Sequence, residues 1–64
     1  EESYLDLFQA VMELDKKYRV SVLLFYYERY STAEIASILK IPEKTVSTRL
    51  FRAKAKLKNY LKEE

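Results

Sequence analysis

Apolar residues recur every three or four positions along this chain, in four blocks separated by short polar breaks. Because an α-helix advances about 100° per residue, that spacing puts one apolar stripe on each helix. It predicts an all-α fold of four helices, over about residues 4–13, 16–29, 32–39 and 43–61. In the first, Leu5, Phe8 and Met12 make the stripe, with Tyr4 and Val11 alongside. In the second, Val20, Leu23, Leu24 and Tyr27 share a side while Phe25 and Tyr26 face elsewhere. A helix apolar on most sides belongs at the centre of a bundle. The third carries Ile35, Ile38 and Leu39, and the fourth Val46, Leu50, Ala53, Leu57 and Leu61.

The breaks carry start and stop signals. Ser3 is positioned to cap the first helix, with Asp6 near the positive end of its dipole, and Asp15 to cap the second. Ser31 and Glu34 make an S-x-x-E capping box ahead of the third. Pro42 suits the first turn of the fourth. The third helix, the Lys40–Ile41–Pro42 turn and the fourth helix together read as a helix-turn-helix. Ala36 is small where two helices would cross, Ile41 anchors the turn, and Val46 is the first core contact of the last helix. A plain helical hairpin within a bundle fits the same pattern.

Sixty-four residues, 48% of them hydrophobic, hold one domain with a small core. There is no glycine and no cysteine, which favours close helical packing and excludes a disulfide framework or a thiolate metal site. No apolar run approaches the ~18 residues of a membrane span, and no secretory leader pattern is present. The sequence opens on Glu1, so a domain from a longer protein is expected. With no histidine or cysteine, no phosphate-cradling glycine loop and scattered carboxylates, neither an enzyme nor a metal or cofactor site is expected.

The net charge of +2 hides a division. Residues 1–34 hold seven acids and four bases, a net of −3; residues 35–64 hold eight bases and three acids, a net of +5. A basic half on a small domain is the footprint of a polyanion binder, although a lysine-rich helix end favoured by the helix dipole gives the same count.

The fourth helix turns this into specific chemistry. Measured from Leu50, Ser47 lies about 60° round the helix, Phe51 about 100°, Lys44 about 120°, Ala55 about 140°, Thr48 about 160° and Arg52 about 200°. These residues form one outward band. In a DNA major groove, arginine bonds a guanine edge bidentately, serine and threonine take either partner, and phenylalanine touches a thymine methyl. Ser47, Thr48, Phe51 and Arg52 are therefore candidate base readers. Thr32, Lys44, Thr45, Arg49, Lys54 and Lys56 are candidate phosphate contacts, with Lys58 on the same flank. Phe51 has an alternative place at the edge of the core against the second helix. Ser47 and Thr48 have one in solvent, and Arg49 one beside an acid of the first or second helix.

The run "LDKKYRVSVLLFYYERYSTAEIASILKIPEKTVSTRLFRAKAKLKNYL", residues 14–61, resembles region 4 of sigma-70 family factors, above all the short extracytoplasmic-function type. The similar parts are "YRVSVLLFYYERYS", "AEIASILKIPEKTV" and "STRLFRAKAKL". The resemblance implies a domain that binds the −35 promoter element in the major groove and docks on the RNA polymerase β-subunit flap. It also implies a cytoplasmic setting, an anti-sigma factor as a further partner, and neither a membrane nor a small-molecule substrate. The family's base-reading positions fall on Ser47, Thr48, Phe51 and Arg52. Arg29, Lys40 and Lys44 stand where that family commonly has glycine. A left-handed backbone at Lys40 would cost about 1–2 kcal/mol. Two other readings remain open: a response-regulator effector domain, whose "TV" is generally followed by a histidine missing here, and a helical protein-docking module.

Overall fold

The computed structural model describes residues 2–58, all of them in helices or short connections. The helices are α1 (Glu2–Met12), α2 (Lys16–Val22), α3 (Thr32–Leu39) and α4 (Glu43–Lys56). A π-helical turn, Leu23–Tyr27, continues α2. The predicted second helix is thus present to Tyr27, with its last turn widened. The Glu28 N–H donates to the Leu23 carbonyl at 3.0 Å and the Tyr30 N–H to the Leu24 carbonyl at 3.0 Å, five and six residues back.

Two helix ends are closed by residues in the left-handed region. Lys40 has φ 59° and ψ 48°, and Arg29 has φ 66°. At the end of α3 the Ile41 N–H reaches the Ala36 carbonyl at 3.1 Å, the six-to-one bond of a Schellman stop. Such a stop needs positive φ at its penultimate residue, which is why a glycine is common there. Here a lysine occupies it. The start of α3 carries the expected capping box. The Glu34 N–H donates to Ser31 Oγ at 3.1 Å and the Ser31 N–H to Glu34 Oε1 at 2.8 Å.

Other boundaries depart from expectation. α1 begins at Glu2, so Ser3 lies inside its first turn instead of capping it. Asp15 stands at the N-cap of α2 but its side chain accepts no capping bond. Pro42 is the N-cap of α4, one position ahead of the first turn. α4 closes at Lys56, because Leu57 leaves helical geometry at φ −95° and ψ 8°. The predicted extension to Leu61 runs into residues 59–64, outside the described ones.

The core lies where α1, α2 and α4 meet. Val11, Leu14, Tyr18, Val22, Ala53 and Leu57 form its buried cluster. Ile35 and Val46 are fully buried and join α3 to α4. α2 packs on α4, on α1 and on its own π turn, the central place predicted for it. Its buried face is Tyr18, Ser21 and Val22, while Val20, Leu23 and Leu24 are half-buried and Tyr27 is exposed.

α1 presents the opposite face from the one its first stripe suggests. Leu5, Phe8 and Met12 are exposed; Leu7 and Ala10 pack against buried Val11 and Leu14. The turn between α1 and α2 is held by Arg19, whose Nη1 donates to the Met12 carbonyl at 3.0 Å and the Leu14 carbonyl at 3.3 Å. A guanidinium there satisfies carbonyls left open by the helix end and matches the negative end of its dipole.

Candidate nucleic-acid interface

α4 has its orientation fixed at both ends of its buried face. Val46 and Ala53 are fully buried, and Leu57 closes the helix in the core. A rigid rod seated on those residues must turn the opposite side outward. Ser47, Phe51 and Arg52 are exposed, and Thr48 is half-buried.

Phe51 decides between its two sequence readings. It is 74% exposed, so it does not pack at the edge of the core. Burying a phenylalanine contributes about 1.5–3 kcal/mol, and this fold leaves most of that unused. The ring stands between polar neighbours on a helix whose apolar face is already satisfied.

The candidate phosphate contacts fall into different settings. Lys44 and Lys54 are exposed, and Thr45 is half-buried. Lys56 is exposed, with Nζ 5.7 Å from the Tyr18 ring centroid, over the face of a buried aromatic. Arg49 is half-buried and turns into a cleft it shares with Lys16 and Lys17 of α2. Thr32 is engaged within the molecule: its Oγ1 donates to Glu43 Oε2 at 2.6 Å, tying the start of α3 to the first turn of α4. A phosphate would have to share that hydroxyl or displace the carboxylate.

Sequence reasoning missed the Thr32–Glu43 bond and the place of Lys16 and Lys17. The first joins residues eleven apart across a turn, which no periodicity reports. The second depends on how α2 lies against the α3–α4 turn, which is a tertiary fact. No three His, Cys, Asp or Glu side chains among the described residues cluster to hold a metal ion. No helix among them is long and apolar enough to cross a membrane.

Comparison with known proteins bears on this geometry. The family model described as Sigma-70, region 4 matches residues 4–57, so it takes in most of α1 as well as the run that carried the resemblance up to Leu57. The chain is 38% identical over 55 residues to the ECF RNA polymerase sigma factor SigW of Bacillus subtilis (strain 168). That alignment covers 86% of this chain and 29% of SigW, so the chain spans less than a third of its relative's length. No solved structure matches it. The family match decides against the response-regulator reading and against an enzyme, since region 4 is a DNA-binding regulatory domain. The chain belongs to the sigma-70 family, as a region 4 domain of the extracytoplasmic-function-like type.

Proposed function

We propose that this chain acts as a single domain that reads the −35 element of promoter DNA by inserting α4 into the major groove. Ser47, Thr48, Phe51 and Arg52 read base edges, and Lys44, Thr45, Lys54 and Lys56 hold the phosphates alongside. The observation that carries this reading is the exposure of Phe51, at 74%, beside exposed Ser47 and Arg52. An apolar ring there has no part in the core, and a thymine methyl gives it one. The domain works in the cytoplasm, where it docks on the β-subunit flap of RNA polymerase and answers to an anti-sigma factor. Support for protein docking comes from apolar side chains that the fold leaves uncovered: Leu5, Phe8 and Met12 on α1, and Tyr26 and Tyr27 on the π turn.

The test is selection of preferred duplexes from a randomised pool, followed by anisotropy titrations with wild-type chain and Arg52→Ala. Loss of the guanidinium is expected to cost about 1–3 kcal/mol on the selected duplex and to relax preference at one base pair. A uniform loss on every sequence would make Arg52 a phosphate contact. Absence of any amide shift change along α4 on adding duplex would leave only the docking role.

A further inference from the structure

The cleft between the start of α2 and the α3–α4 turn has a composition that folding does not account for. It is a shallow, open cleft of about 360 Å³ lined by Lys16, Lys17, Val20, Leu39, Ile41 and Arg49. Val20, Leu39 and Ile41 are half-buried, so they form an apolar floor that still meets solvent. The rim is three cations, and the lining contains no acid.

Those cations do nothing for the helix that bears two of them. Lys16 and Lys17 occupy the first turn of α2, where the helix dipole favours negative charge, and the acid at this helix start, Asp15, sits at the N-cap without making a capping bond. Arg49 comes from another helix, so the three positive charges are gathered by tertiary structure against their mutual repulsion. Lys17 finds some relief over the Tyr18 ring, 5.2 Å from its centroid.

We propose that this cleft is a docking site for an acidic segment of a partner protein that carries an apolar anchor residue. Carboxylates of the segment pair with Lys16, Lys17 and Arg49, and the anchor covers Val20, Leu39 and Ile41. A DNA phosphate satisfies the rim but leaves the floor wet, so the floor selects a side chain over a phosphodiester. On the wheel of α4, Arg49 lies about 160° from both Ser47 and Phe51 but about 60° from Arg52, so the apolar floor, rather than the arginine, separates this site from the promoter-reading band. It reassigns Arg49 from the phosphate flank to the cleft.

The test titrates the chain with a short synthetic amphipathic peptide, leucines on one face and glutamates on the other. Methyl resonances of Val20, Leu39 and Ile41 are followed by NMR. Saturable shifts at those methyls are expected. Lys16→Glu combined with Lys17→Glu should weaken binding about tenfold, since rim charges set association. Both lysines are exposed, and an unchanged thermal melt verifies that this variant folds. A peptide with serine in place of leucine should not bind. The proposal is overturned by absence of shifts at the three methyls, by equal binding of the serine peptide, or by an unaffected double variant. It is equally overturned if duplex DNA moves these methyls and the peptide does not, which would make the cleft a phosphate contact.

Discussion

A lysine at φ 59° is held against its own Cβ, and the usual cost of that backbone is about 1–2 kcal/mol. Lys40→Gly removes the strain but frees the unfolded chain, which offsets about 0.4–1 kcal/mol. The net runs from about zero to about 1.6 kcal/mol in favour of glycine, each 1 kcal/mol being worth roughly 4–8 °C in melting temperature for a domain of this size. A calorimetric scan in which the variant melts below the parent would contradict the left-handed stop. Ser21 is the other residue out of keeping with its place. It is fully buried between helices and its Oγ has no hydrogen-bond partner. An orphaned buried hydroxyl costs about 1–3 kcal/mol, so Ser21→Ala should raise the urea midpoint or leave it unchanged. A lower midpoint would mean that the hydroxyl is satisfied in solution. Lys40 was legible in the sequence because it stands where similar chains have glycine. Ser21 was not, because a lone serine in an apolar helix gives no sign of which way it points.

Helices differ in how much of themselves the sequence discloses. α3 was read correctly at its start because Ser31 and Glu34 meet within one turn, where local chemistry alone sets the outcome. Ser31→Ala should cost about 1 kcal/mol of stability, measured by denaturant unfolding. α1 was read on the wrong face for a definite reason. Leu5, Phe8 and Met12 recur at helical spacing, and so do Leu7, Ala10, Val11 and Leu14. Periodicity cannot rank two stripes on one helix; the seat offered by α2 and α4 does. α4 posed no such conflict, since Val46, Ala53 and Leu57 make its buried apolar face and the rest is polar or charged apart from Leu50, Phe51 and Ala55. The joint between α3 and α4 rests partly on Thr32 and Glu43. A double-mutant cycle of Thr32→Val and Glu43→Gln should give a coupling of about 0.5 kcal/mol or more. Additive effects would make that bond incidental to the angle at which α4 is held.

The whole molecule divides its labour between its charges and its core. The half of the chain from Ile35 onward bears a net +5, and α4 supplies much of it from outside the buried cluster. DNA affinity should therefore fall with log salt at a slope near −0.9 per phosphate neutralised. Lys54→Ala should reduce that slope by about one unit without altering which sequence is preferred. A changed preference would make Lys54 a base reader.

The exposed row on α1 has a different consequence. Leu5, at 65% exposed, Phe8 and Met12 take no part in the interior. Each can be exchanged for glutamine with a change in unfolding free energy within about 0.5 kcal/mol. A circular-dichroism melt of the triple variant that superimposes on the parent would establish it, and an early collapse would refute it. Folding of the described residues then exerts no hold on the oiliness of that row, and any pressure keeping it oily must act from outside them.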